Sequence, residues 1–381
     1  MNSYERVLNT FTGHTVDKIP VFHIGFSSQA ASMLLGREAY IGGGIQQWRE
    51  ATALCNGDEA HAEFLERSYQ DAFEIAGKCN MDIIRPSYWR LPIKPVKRLN
   101  EYEFLYGNDD NWCIRRYQPD TEVFDVVKSH PPQQEMTFED LEQFLKKWEQ
   151  KIEEYDPSIP GNYKALKNAI KAFGNEKVIR VDAAKIEIPM EPLWLEATCL
   201  RPDLVKRYLD IQVKKSFKEI IYLATLGVKF IFGGGDMASN TGPLYSPRIF
   251  RELMFPSVKM IADECHRLNM IFLFNSDGNL WPVSDDLFGK SGVDGYYEID
   301  RSAGMDIEKL RLKYPMLNLL GNISSQTLHT GSRDDVVKET LACLKVAHTY
   351  GRIVVGCSNY LVPGTPIENS LAMIDTIEKY R

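Results

Sequence analysis

The chain has 381 residues, 44% of them hydrophobic, and a formal net charge of −7. This length allows either two or three domains or one large α/β barrel, and the acidic balance excludes a strongly basic nucleic-acid surface. Seven cysteines stand at scattered positions without a CxxC pair, which is typical of reduced thiols in a cytoplasmic protein. No apolar run has the length of a signal core or a membrane span, so we expect no membrane association.

Short apolar segments recur along the chain and predict buried parallel strands. Most of them are rich in Val, Ile and Phe, and several are apolar on both faces, as expected for strands covered by helices on both sides. The predicted strands lie at residues 18–25, 81–88, 177–184, 228–236, 270–278, 293–300, 316–323 and 352–359.

Helical patterns separate many of these strands. Residues 246–269 begin with Ser246 and Pro247, a helix N-cap followed by proline in the first turn. Residues 307–314 and 333–350 have similar patterns. Strands that alternate with helices predict a (β/α)8 TIM barrel. A doubly wound open sheet is the alternative, because strand order is not visible in a single sequence.

Residues 92–175 depart from this alternation. The segment EYEFLYGNDDNWCIRRYQ indicates a β-hairpin about Gly107, Asn108 and Asp109, and a charged helical pattern follows it. We interpret this region as an insertion after the second strand that packs on the barrel. The whole chain, residues 1–381, is then one barrel domain.

Polar residues stand at the carboxyl ends of the predicted strands. In FLFNSDGN (272–279), an apolar strand ends in Asn275 and Asp277, and Gly278 allows the chain to turn. Enzymes with a (β/α)8 barrel place their active site at these strand ends. The residues expected at this mouth are His23, Tyr88, Asp182, Asp236, Asn275, Asp277, Glu298, Asn322 and Asn359.

A series of motifs occurs in order along the chain. It begins with ERVLNTFTGHTVDKIPVF and continues with GGGDMASNTGPLYSPRIFRELMFP, NSDGN, GVDGYYEID, GMDIEKLRLKYP, LLGNIS and VPGTPIENSLAMIDTIEKY. This order resembles the uroporphyrinogen decarboxylase-like superfamily, which includes corrinoid-dependent methyltransferases. The resemblance covers the chain up to about residue 90 and again after about residue 175.

The branches of this superfamily differ in their binding residues. True uroporphyrinogen decarboxylases carry arginines just after the first strand, whereas the corresponding VFHIGFSSQAAS has none to pair with substrate carboxylates. Thiol-specific methyltransferases hold zinc with a His-x-Cys pair and a distant Cys. Asn275, Asp277 and either Asn359 or Cys357 stand at those positions here. These residues provide no soft ligand pair, so we expect no tight zinc there.

The resemblance therefore implies a methyltransferase that demethylates a small methoxy- or methylamine-type compound. The methyl group would pass to a corrinoid (cobalamin) carried by a partner protein. Such a reaction requires activation of the leaving group by an acid or by a metal ion. The carboxylates expected to act as catalytic residues or, alternatively, to hold an oxygen-preferring ion are Asp236, Asp277 and Glu298. Cys357 and His23 are additional candidate ligands.

The other residues at the strand ends are expected to bind substrate: His23, Tyr88, Asn275, Asn322 and Asn359. For His23, a core position in an apolar strand is the competing interpretation, and for Asp236, Asn275 and Asp277 it is a turn-forming role. Two other functions stay open. One is a decarboxylase that acts on a smaller acidic substrate, and the other is a non-catalytic binding barrel.

Overall fold

The computed structural model describes residues 1–130, 136–159 and 161–381. Within these ranges no helix combines the length and the hydropathy that crossing a bilayer requires. The helices are α1 (Ser3–Thr12), α2 (Ser28–Leu35), α3 (Gly44–Asn56), α4 (Asp58–Lys78), α5 (Phe138–Glu153), α6 (Lys164–Phe173), α7 (Pro192–Leu200), α8 (Pro202–Thr225), α9 (Pro247–Ile249), α10 (Phe255–Arg267), α11 (Ser284–Leu287), α12 (Ile307–Lys313), α13 (Ser325–Thr330), α14 (Arg333–Tyr350) and α15 (Ile367–Tyr380).

Most strands are short, and each predicted strand segment overlaps at least one of them. The strands are β1 (Gly25–Phe26), β2 (Ile83–Ile84), β3 (Lys97–Arg98), β4 (Glu103–Gly107), β5 (Trp112–Gln118), β6 (Val123–His130), β7 (Val178–Ile179), β8 (Asp182–Lys185), β9 (Phe230–Gly234), β10 (Ala238–Ser239), β11 (Gly242–Pro243), β12 (Ile271–Asn275), β13 (Gly295–Tyr297), β14 (Asn318–Leu320), β15 (Ile353–Val354) and β16 (Tyr360–Leu361).

The central strands are parallel and follow one another in sequence order. A six-stranded sheet has the order β8-β9-β12-β13-β14-β15, β2 pairs with β7, and β1 pairs with β16. Single backbone hydrogen bonds link these sheets, for example from Asp82 N–H to the Val21 carbonyl (2.8 Å) and from Phe22 N–H to the Val355 carbonyl (3.0 Å). A doubly wound sheet would reverse its strand order at a switch point, and this order has no such reversal. The predicted (β/α)8 fold is confirmed.

The predicted long helix at 246–269 is divided in the structure. Ser246 caps its start, accepting a hydrogen bond from Ile249 N–H (3.3 Å), and Pro247 occupies the first turn. A π-helical turn at Phe250–Met254 then separates α9 from α10. The predicted helices at 307–314 and 333–350 correspond to α12 and α14.

The region between β2 and β7 forms a separate layer. Strands β3 to β6 make an antiparallel sheet, and Gly107, at φ +102°, ends β4 before the chain turns back at Trp112. This sheet packs on α3, where the ring of Trp48 stacks on Tyr117 at 4.8 Å. Helix α5 follows and packs on α8, with Glu149 paired to Arg207 at 3.0 Å. The insertion therefore covers one side of the barrel.

Candidate active site

A cavity of about 740 Å³ lies at the carboxyl ends of the barrel strands. Such a volume suits a small-molecule ligand. Six of the nine residues expected at the mouth line this cavity: Asp182, Asp236, Asn275, Asp277, Glu298 and Asn359. They come from the ends of several strands, and only Asn275 and Asp277 share one, so the fold brings together residues that are far apart in sequence.

Asp236 reaches the cavity behind three glycines. A side chain at Gly233 would collide with the Ala183 carbonyl, and a Cβ at Gly234 would lie 2.7 Å from the Asn275 carbonyl oxygen. The glycines are therefore required by the close approach of neighbouring strands. At the end of this segment, the Asp236 carboxylate accepts a hydrogen bond from Asp277 N–H (3.1 Å). This contact holds the ends of β9 and β12 together.

Asn275 and Asp277 lie two residues apart at the end of β12, and both face the cavity. Asn275 Nδ2 donates to Glu298 Oε2 at 2.8 Å, and Asn359 Nδ2 donates to Asp277 Oδ2 at 2.8 Å. Each carboxylate is thus oriented by an amide from another strand. The two asparagines serve as hydrogen-bond donors to the carboxylates.

Glu298 and its neighbour Tyr297 both line the cavity although they are consecutive residues. Side chains on a regular strand would point in opposite directions. Glu298 has a left-handed backbone, with φ +65°, which changes the direction of the chain at this point. Such conformations in non-glycine residues often occur at functional sites. The Tyr297 hydroxyl donates to Asn275 Oδ1 at 3.2 Å and so fixes the amide that orients Glu298.

Asp236, Asp277 and Glu298 form a compact carboxylate cluster, with one oxygen of each within 4.8 Å of the others. Burial and then the nearby charges of Glu298 and Asp236 raise the pKa of Asp277 from 3.8 to about 8, despite the hydrogen bond from Asn359. Burial also raises the pKa of Glu298, against the opposing effect of Arg180. Asp277 therefore carries a proton near neutral pH and can act as a general acid.

The same cluster has the donor atoms that a hard, oxygen-preferring cation requires. Among the described residues, no histidine or cysteine joins it. Cys357 is fully buried, and burial raises the pKa of its thiol to about 12. A thiol that keeps its proton is a poor metal ligand. The structure places Cys357 and His23 outside the carboxylate cluster, and their role as metal ligands stays a prediction.

Three residues expected to bind substrate, His23, Tyr88 and Asn322, do not line the cavity and are almost fully buried. His23 Nδ1 accepts a hydrogen bond from Cys357 N–H (3.2 Å), and burial lowers the pKa of its imidazole to about 4. Asn322 donates to the Met305 carbonyl at 3.3 Å. These three side chains lie within the packed wall, and their contact with substrate stays a prediction. For His23, this position agrees with the competing core interpretation.

Two arginines in the cavity wall were missed by the sequence reasoning. Arg85 and Arg180 are only 7% and 6% exposed, and both line the cavity. Arg180 Nε donates to Asp182 Oδ1 at 2.7 Å, and Arg85 Nη2 lies 3.8 Å from Asp182 Oδ2. In the sequence, each of these arginines could have been recognised as a charged residue inside an apolar run, IIRPSY or VIRVDAA. The cavity therefore contains two cationic side chains, although the segment after the first strand has no arginine.

The comparisons with known proteins agree with this architecture. A methyltransferase from Methanosarcina mazei shares the fold, with a TM-score of 0.65 at 18% identity over 100% of this chain and 99% of that chain. D-allulose 3-epimerase from Methylomonas sp. in complex with D-allulose (12% identity, 65% of this chain, 93% of that chain) has a TM-score of 0.33. D-psicose 3-epimerase from Clostridium cellulolyticum H10 (14% identity, 64% of this chain, 93% of that chain) has a TM-score of 0.32. The TM-scores of these two epimerases are too low to support a conclusion about fold or function.

The sequence comparisons identify the family of the C-terminal part. No curated protein matches the chain at a significant level. Residues 192–380 match the sequence model of the uroporphyrinogen decarboxylase (URO-D) family. This range contains Asp236, Asn275, Asp277, Glu298 and Asn359, the predicted site residues that line the cavity, apart from Asp182. Residues 192–380 are therefore similar to the uroporphyrinogen decarboxylase family, which confirms the family resemblance predicted from the sequence.

Proposed function

We propose that the protein is a cytoplasmic methyltransferase that removes a methyl group from a small methoxy- or methylamine-type compound and passes it to a corrinoid carried by a partner protein. The family domain and the fold shared with a methyltransferase support the general class. The observation that carries the proposal is Asp277, a carboxyl group whose pKa of about 8 keeps it protonated inside the cavity.

The proposed chemistry depends on this proton. When a carbon–oxygen or carbon–nitrogen bond breaks, its electron pair stays on the heteroatom, and a proton delivered there lowers the barrier. Asn359 donates to Asp277 Oδ2, so Oδ1 is the atom available to hold and deliver the proton. Burial and the neighbouring charges of Glu298 and Asp236 keep Asp277 protonated, because a further negative charge beside them is unfavourable.

The partner's corrinoid supplies the acceptor for the methyl group. The cavity suits transfer of the methyl group between two separate molecules, because some of its polar groups lie at the open rim and others lie deeper inside. Asp182 and Lys185 are 52% and 70% exposed at the rim, whereas the Glu298 side chain is held inside by Asn275. A methyl donor bound with its heteroatom at Asp277 would then point its methyl group toward the open side. This arrangement leaves the carbon accessible from the side opposite the leaving group.

The direct test is a methyl-transfer assay with the purified protein, a corrinoid protein reduced to the Co(I) state and a panel of methoxy and methylamine compounds. We expect transfer with at least one donor, and Asp277→Asn should lower the rate by roughly 10²- to 10⁴-fold because a general acid is lost. Asp263→Asn is the matched control, since Asp263 is an exposed helix residue paired with Lys259. Absence of methyl transfer from every donor would overturn the proposal.

A decarboxylase of a small acidic substrate is the second candidate. The observation in its favour is the presence of Arg85 and Arg180 in the cavity, because guanidinium groups bind carboxylates. The two functions differ in their product. Release of carbon dioxide from candidate acids, without methyl transfer, would support the decarboxylase.

A further inference from the structure

We propose that Arg85 and Arg180 form a binding subsite for a carboxylate, so that the methyl donor is a methoxy or methylamino acid. This inference rests on the proposed methyl transfer and adds the chemical class of the substrate. The two guanidinium groups come from different parts of the barrel, Arg85 just after β2 and Arg180 between β7 and β8. Both are in the wall of the same cavity as the carboxylate cluster.

The contacts within the described residues leave donors of both arginines unused. Arg85 Nη1 donates to the Ile24 carbonyl at 3.1 Å, and Arg180 Nε donates to Asp182 at 2.7 Å. Arg85 Nε and Arg180 Nη1 are buried and have no hydrogen-bond partner among the described residues. Each guanidinium carries more N–H donors than these contacts use. Polar groups in such positions are usually paired with a protein group, water or a ligand.

The charge balance around the arginines points to an anion. Asp182 is the one acidic side chain within 4.0 Å of either guanidinium in the described part of the chain, and it is 52% exposed. Two buried positive charges therefore have one partly solvated carboxylate within ion-pair distance, and Glu298 attracts both from farther away. Burial of a charge without an equal partner is unfavourable. A substrate carboxylate would provide the missing negative charge and accept the in-plane hydrogen bonds that guanidinium groups form.

Aromatic rings hold the arginines in position. The Arg85 guanidinium lies 4.4 Å from the centre of the Trp89 ring, and the Arg180 guanidinium lies 5.2 Å from that of Tyr297. Cation–aromatic contacts of this kind restrict the side chains and favour the charged form. Trp89 also packs edge-on against Tyr360 at 5.3 Å, and all three rings line the cavity. The subsite is therefore ordered before a ligand binds.

The arginine subsite adjoins the acid cluster along one wall. Arg180 lies over Tyr297, whose hydroxyl donates to Asn275, and Asn275 in turn donates to Glu298. A donor with its carboxylate at the arginines can thus place its methylated heteroatom toward Asp277. This arrangement separates the two roles, with recognition by Arg85 and Arg180 and proton delivery by the cluster.

The test compares ligands that differ in one carboxylate. Calorimetry with the full-length protein and no corrinoid partner would compare methoxyacetate with 2-methoxyethanol, and 4-methoxybenzoate with 4-methoxybenzyl alcohol. We expect the acid of at least one pair to bind at least about tenfold more tightly, as for a hydrogen-bonded charged group. If neither acid is preferred over its neutral counterpart, the inference is overturned.

Arginine variants then test whether Arg85 and Arg180 cause the preference for the acid over the neutral ligand. Arg85→Met and Arg180→Met should each weaken binding of the acid by roughly 10- to 100-fold and leave the neutral ligand unaffected. Arg85→Lys and Arg180→Lys retain the charge but not the planar fork, so they should lose less. The control is Arg248→Met, because Arg248 is 72% exposed and pairs with Glu252 on a helix surface. Thermal unfolding would show which variants remain folded, and folded methionine or lysine variants with unchanged preference for the acid would overturn the inference.

The outcomes separate this inference from the proposed function. Tight binding of acids without methyl transfer in the complete system would reject the methyltransferase and retain the subsite. Methyl transfer from neutral donors at the same efficiency as from acids would retain the methyltransferase and reject the subsite.

Discussion

The protonated state of Asp277 predicts an unusual dependence of stability on pH. Its pKa rises from 3.8 to about 8 on folding, mainly because of burial. The native protein therefore holds this proton more tightly than the unfolded chain, so the contribution is fully present below the unfolded pKa and is lost as pH rises through about 8. Each pH unit in that window changes the free energy of unfolding by about 1.4 kcal/mol. Between pH 6 and 8 this one group should lower the stability of the wild type by up to about 3 kcal/mol.

Asp277→Asn removes the titration while preserving the shape of the protonated side chain. We expect the variant to match the wild type near pH 3.8, the unfolded pKa, and to exceed it in stability increasingly as pH rises to about 8. Urea unfolding at several pH values in this range would measure the difference, with Asp263→Asn as the exposed control. Equal pH slopes for the wild type and Asp277→Asn would refute the protonated Asp277 and, with it, the proposed acid.

Three further predictions concern other parts of the chain. Glu298→Gln removes the neighbouring charge that, after burial, contributes most to the raised pKa of Asp277. Methyl-transfer activity should therefore begin to fall at a lower pH than in the wild type. An unchanged dependence of activity on pH would contradict the electrostatic effect of Glu298 on Asp277. Leu273→Ala should reduce the free energy of unfolding by about 2–5 kcal/mol because Leu273 is fully buried, whereas Leu312→Ala, at 63% exposure, should change it little, as chemical denaturation would show. Elemental analysis of protein purified without added metal should find no stoichiometric zinc; a zinc content that disappears in Cys357→Ala would restore a thiolate site.

Sequence patterns were sufficient for the barrel and for much of its mouth. Strands such as β9 and β12 are buried on both faces, and their continuous apolar runs make them visible without a structure. The polar residues after them, such as Asp236 and Asp277, stand out because a buried run stops abruptly. Since all parallel strands of this fold end on the same side, these residues could be assigned to one cavity before their geometry was known.

The same reasoning fails for residues inside the runs. His23 and Tyr88 lie in the packed wall and not in the cavity. A strand covered on both sides has no polar face from which the direction of an individual side chain can be read. A left-handed residue such as Glu298 also breaks the regular alternation, and its backbone conformation is not visible in the letters GYYEID.

The amino-acid sequence by itself determined the fold class, the family resemblance and the strand ends that carry the carboxylates, because these depend on local hydrophobic runs and on motifs in order. The tertiary structure alone decided that Arg85 and Arg180 enter the cavity and that Asp277 holds a proton. Both properties arise from distances between residues that are remote in sequence, since burial and neighbouring charges set the energy of an ionised group. Only the folded chain defines those distances.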